Sequence, residues 1–94
     1  MQVNFYATFR PIVGGKTVEF DLPAGTTPAR LLQAIIGAYP ALQPQLLDEN
    51  GMLFNHVHIF INGRDVQYLP QALETPLDPQ DKVDIFPPVG GGRY

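Results

Sequence analysis

Few residue types in this chain can do chemistry. It has no cysteine, so it offers no thiolate nucleophile, disulfide or cysteine-built zinc site. His56 and His58 stand two apart around a run that reads as strand, Val57 to Ile61, and so share a face. With no third ligand nearby they read as a solvated pair rather than a metal centre. No serine or cysteine accompanies them as a nucleophile. The carboxylates Asp48-Glu49, Asp65, Glu74, Asp78, Asp81 and Asp84 are spread singly or in turns. Asp78 and Asp81 flank a turn, where a short carboxylate accepts from backbone N–H groups, a structural role rather than acid–base work. Gly90-Gly91-Gly92 is not a phosphate loop, because no helix follows it and no Gly-Lys-Ser/Thr occurs anywhere.

What remains is the stretch from Val83 to Tyr94. Val83 to Phe86 alternates as a β-strand. Pro87-Pro88 stops it, since proline has no N–H for a sheet ladder. Gly90-Gly91-Gly92 then makes a thin end without side chains, and Arg93 and Tyr94 follow. One reading is a frayed terminus. The other is a chain end shaped to enter another protein's narrow site, with a stiff proline pair at its root.

The elements that position this end read as follows. Ninety-four residues make one domain with one modest core, over 1–88, with a glycine tail over 89–94. Residues 2–9 alternate, with Val3, Phe5, Ala7 and Phe9 on one face. A turn at 10–15 and a second alternating run at 16–22 predict an antiparallel hairpin. Thr27 before Pro28 predicts a helix N-cap. Leu31, Leu32, Ile35, Ile36 and Tyr39 form an apolar stripe, and Pro40 ends the helix. Leu42, Leu46 and Leu47 suit a second short helical turn, Asp48 to Gly51 a loop, and Met52, Leu53 and Phe54 its anchor. After the strand Val57 to Ile61, Asn62-Gly63 predicts a tight turn, with Val66-Gln67-Tyr68 as a short returning strand. Residues 69–81 read as irregular, pegged by Leu69, Leu73 and Leu77, and Lys82 to Phe86 is the last strand. The class is α+β, a mixed sheet packed on one main helix.

The formal net charge is −3 and the six basic residues are scattered, so nucleic-acid binding has no electrostatic footprint. Charged residues are only 16% of the composition, which leaves apolar surface for a partner. No stretch approaches the ~20 apolar residues that cross a bilayer. The N-terminus enters a strand pattern at once, without a secretory signal. A cytoplasmic protein is expected.

These residues carry a family resemblance. The chain resembles the ubiquitin-like sulfur carriers (the MoaD/ThiS type), and most of all the small subunit of molybdopterin synthase. Phe5 to Arg10 is similar to the family's first strand, and Leu22 to Thr27 with Leu31-Leu32 to the approach to its helix. Val57 to Gly63 is similar to its strand ending in Asn-Gly. Leu77 to Val89 is similar to its last loop, strand and tail, and is the specific part. The resemblance implies a β-grasp fold. It implies that an adenylating enzyme of the ubiquitin-activating type uses ATP to activate the terminal glycine, which then becomes a thiocarboxylate. A second enzyme, the molybdopterin synthase large subunit or another sulfur acceptor, takes the sulfur. No cofactor is bound by the carrier, since ATP sits in the partner. Phe86, Pro87, Pro88, Val89 and Gly90 become the docking segment, with exposed apolar residues beside it, and Gly91 and Gly92 the reacting end.

Members of this family end at Gly-Gly, whereas here Arg93 and Tyr94 follow. Two bulky side chains are expected to jam a glycine-sized channel. A peptidase cutting between Gly92 and Arg93 resolves this. The alternatives are a non-catalytic interaction module, an activating enzyme that tolerates the extension, and conjugation of Gly92 to lysines as a protein modifier.

Overall fold

The computed structural model describes residues 1–87. Five strands form one mixed sheet in the order β2-β1-β5-β3-β4. They are β1 (Gln2–Phe5), β2 (Thr17–Glu19), β3 (His58–Ile61), β4 (Arg64–Asp65) and β5 (Val83–Phe86). β1 and β2 make the expected antiparallel hairpin. The last strand enters the middle, parallel to β1 and antiparallel to β3. The main helix α2 (Pro28–Ala38) covers one face; α1 (Arg10–Val13) and α3 (Gln43–Leu46) are single turns. Among the described residues no helix is long and apolar enough to cross a membrane.

Period-two alternation and the helical stripe meet in one core. Val3, Phe5, Ile59, Ile61, Val83 and Ile85 point from the sheet toward Leu31, Leu32 and Ile35 of α2, and all are buried. Each such side chain contributes about 1.5–3 kcal/mol of burial. The Thr27 side chain accepts from the Arg30 N–H at 3.2 Å, the expected N-cap. At the β3–β4 turn, Asn62 (φ +53°) and Gly63 (φ +84°) are both left-handed, the type I′ geometry whose twist matches a hairpin. Asn62 also ties this turn to the approach to β5: its side-chain oxygen Oδ1 accepts from the Lys82 N–H and its side-chain Nδ2 donates to the Asp81 carboxylate.

Several expected elements are corrected. The strand over 2–9 ends at Phe5, because Ala7 adopts φ +50° and turns the chain out of the sheet. Ala7–Phe9 is a 3-10 turn leading into α1, where Pro11 fits the first turn and Gly14 closes it at φ +82°. Phe9 reaches the core from this turn rather than from a strand. The second run pairs only over Thr17–Glu19, with Phe20 buried beyond it. Val66–Tyr68 is a 3-10 turn rather than a strand, because the Asp65 carboxylate accepts the Gln67 N–H and caps a turn there. Met52 is not an anchor, being 63% exposed; Leu53 and Phe54 pack against the core instead. Within 69–81 a short 3-10 turn forms at Ala72–Glu74; Leu77 is buried, and Leu69 and Leu73 pack partly buried against the core as expected. The boundary after Pro88 and the tail 89–94 lie outside the described residues.

Candidate functional site

The site is built by the strand period. β5 turns Val83 and Ile85 inward, so Asp84 and Phe86 face away from the helix. In β3, Ile59 and Ile61 point inward, which puts His58 and Phe60 on the outer face. In β1 the outward residues are Gln2 and Asn4, and Tyr6 follows just past the strand's end. The register sets Asn4 beside Asp84, Phe60 across from Asp84 and His58 across from Phe86. Three strands thus bring polar and aromatic groups from both ends of the chain onto one surface.

The aromatic rings form a continuous row. Tyr6 stacks on Phe86 with centroids 4.2 Å apart and an interplanar angle of 16°. Phe60 meets Phe86 edge-on at 5.4 Å, and His58 meets Phe60 edge-on at 6.4 Å. Such pairs contribute about 0.5–1.5 kcal/mol beyond area burial and fix ring orientation. The Arg10 guanidinium lies 5.2 Å from the Tyr6 ring centroid, within cation–π range. The same guanidinium donates from Nε to the Phe5 carbonyl at 2.9 Å.

The polar part of the face centres on Asp84, which is 6% exposed. Its Oδ1 accepts from Asn4 Nδ2 at 2.9 Å and from the Tyr6 hydroxyl at 3.0 Å. Lys82 Nζ lies 3.8 Å from Oδ2. Desolvation, then the hydrogen bond to Asp84, raises the Tyr6 hydroxyl above its ordinary pKa of 10.0.

Of the expected docking segment, Phe86 and Pro87 are described and half-buried at the edge of this row. Pro88, Val89, Gly90, Gly91, Gly92 and Arg93 lie outside the described residues. His56 and His58 do not act together: His56 stacks on Phe54 before the strand, and His58 Nδ1 lies 3.2 Å from an Asp65 carboxylate oxygen. Among the described residues no three His, Asp or Glu side chains gather as a metal would need. Tyr6, Phe60 and Asp84 are not singled out from sequence as site residues. The available signal is aromatic side chains at outward positions of alternating strands, where polar residues are usual.

Comparison with known proteins agrees with this fold. The chain is 36% identical over 92 residues to small archaeal modifier protein 3 of Haloferax volcanii, covering 98% of each chain. The crystal structure of SAMP1 from the same organism superposes with a TM-score of 0.84 at 30% identity, over 98% of both chains. A chain of the Amycolatopsis orientalis BexX/CysO complex superposes with a TM-score of 0.78 at 25% identity, over 97% of this chain and 98% of that one. The sequence profile of the ThiS family matches residues 3–92. With this match spanning nearly the whole sequence and the mixed β-grasp sheet beneath it, the chain belongs to the ThiS family of ubiquitin-like proteins.

Proposed function

We propose that this protein is a sulfur carrier that works through the carboxylate of Gly92, after a peptidase removes Arg93 and Tyr94. A carboxylate is a poor electrophile until one oxygen becomes part of a leaving group. An adenylating partner of the ubiquitin-activating type supplies ATP. A Gly92 carboxylate oxygen attacks the α-phosphorus and pyrophosphate leaves. A sulfur nucleophile at the oxidation level of sulfide then attacks the carbonyl carbon and AMP leaves, giving a thiocarboxylate. A sulfur-accepting enzyme, with the molybdopterin synthase large subunit as the proposed acceptor, takes that sulfur. The chain is then a cytoplasmic protein cosubstrate that binds no cofactor itself, with Gly90 and Gly91 slim enough to let the end reach a deep pocket.

The observation that carries this reading is the place of Phe86. It ends the central strand, packs between Tyr6 and Phe60, and is followed at once by Pro87 and the glycine-rich end. A partner can grip the aromatic row while the attached chain end enters its active site. The test is ATP–pyrophosphate exchange with the cognate adenylating enzyme. A chain ending at Gly92 supports exchange and one ending at Tyr94 does not. Exchange by neither form would leave the non-catalytic interaction module as the better account.

The kinship with proteins named small archaeal modifiers favours a second use of the same activated carbonyl. A lysine amine of another protein attacks it, AMP leaves, and an isopeptide bond forms. Gly92-linked lysine peptides in digests of native cells would identify that use.

A further inference from the structure

Asp84 is a carboxylate where neither core nor ladder needs one. Val83 and Ile85 supply the inward packing of β5, and the backbone pairs with both neighbours whatever side chain is present. Burying a carboxylate costs several kcal/mol unless it is paired and hydrogen-bonded. Here Asn4, Tyr6 and Lys82 converge on it from two strands and their flanks.

Of these partners, Tyr6 has the position most in need of fixing. It lies past the end of β1, next to Ala7 at φ +50°. Its backbone still reaches the sheet through one N–H bond to the Ile85 carbonyl at 3.2 Å. Its ring is set by the hydroxyl bond to Asp84 on one side, by the stack on Phe86 and by the Arg10 guanidinium. Removing the hydroxyl bond leaves the Tyr6 ring held by the stack and Arg10 alone, so Phe86 keeps Phe60 but loses the fixed orientation of its stacked partner.

We propose that Asp84 is a positioning residue for the docking face: through the Tyr6 hydroxyl it fixes the Phe86 ring, and that orientation sets how tightly the adenylating partner holds this protein. The identity of the partner rests on the carrier reading above. The link from Asp84 to Phe86 is a property of this chain by itself.

The test uses the chain ending at Gly92, with the substitutions Asp84→Ala, Asp84→Asn and Tyr6→Phe. In the free protein, NMR follows the Phe86 ring resonances, which the Tyr6 ring current displaces. Asp84→Ala and Tyr6→Phe move them toward averaged values. Asp84→Asn, which keeps an acceptor oxygen, holds them near wild type. Unmoved Phe86 resonances in both Asp84→Ala and Tyr6→Phe overturn the proposal. In pyrophosphate exchange, Asp84→Ala and Tyr6→Phe raise KM for the carrier about tenfold, the size of disturbing one aromatic contact at an interface. The kcat stays within about twofold, and Asp84→Asn restores KM to within about threefold. A lowered kcat at unchanged KM also overturns it. If Asp84→Ala loses amide dispersion, Tyr6→Phe decides, since it keeps the ring. If the unsubstituted chain ending at Gly92 supports no exchange, the carrier reading fails, and the Phe86 resonances decide the Asp84 link alone.

Discussion

Tyr6 and Phe86 stack with their ring centroids 4.2 Å apart and nearly parallel, so one of the first residues of the fold holds the residue at the root of the tail. The parallel pairing of β1 with β5 makes this possible, because it sets Phe5 beside Ile85. The ends of both strands then emerge at the same edge of the sheet. On the carrier reading proposed above, the residue that leads into the presented chain end is thereby fixed to the sheet.

Phe86→Ala removes the middle ring of the row while leaving Val83 and Ile85 in the core. The substitution is expected to reduce stability by only about 1–2 kcal/mol, as Phe86 is half-buried. Affinity for the adenylating enzyme, measured by titration calorimetry with the chain ending at Gly92, is expected to fall about tenfold or more. Wild-type affinity in this variant would show that the row is not the grip.

Tyr6 gives a pH dependence of defined sign. Its pKa is raised in the fold, by desolvation first and then by the bond to Asp84, so between the unfolded and folded values the native state holds the extra proton. This contribution to stability is fully present below pH 10.0 and is lost as pH rises through the raised folded value. Chemical denaturation at a series of pH values should show stability falling above that point. Tyr6→Phe should flatten this part of the slope while lowering stability at neutral pH through loss of the hydrogen bond.

Ile35→Ala tests the opposite side of the sheet. Ile35 is fully buried in α2, and its truncation leaves a cavity that costs about 2–5 kcal/mol. The melting temperature should fall sharply. At a temperature where the variant remains folded, KM for the carrier in pyrophosphate exchange should match wild type. This separates core packing from the docking face.

Much of this architecture is legible in the residues. Thr27-Pro28 and the stripe from Leu31 to Ile35 specify α2 because capping and periodicity agree. Asn62-Gly63 specifies its turn because few residues tolerate two left-handed conformations in succession. The end of β1 is not legible, since Ala7 and Phe9 continue the alternation while the backbone has already turned. Phe9 is buried in either arrangement, so its type carries no information on the choice. Val66-Gln67-Tyr68 is β-prone, but the local bond from the Gln67 N–H to the Asp65 carboxylate wins over pairing at a sheet edge. The proposed docking face is half legible. Phe86-Pro87 stands out in sequence, while the convergence of Asn4, Tyr6, Lys82 and Asp84 depends on a parallel pairing between the ends of the chain.

The intact mass of the protein isolated from its native cells tests the central claim most directly. The account predicts a chain that has lost Arg93 and Tyr94, with a fraction heavier by the exchange of one carboxylate oxygen for sulfur. A chain that keeps Tyr94 throughout, with no trimmed form under conditions where the sulfur-accepting pathway is active, would contradict it.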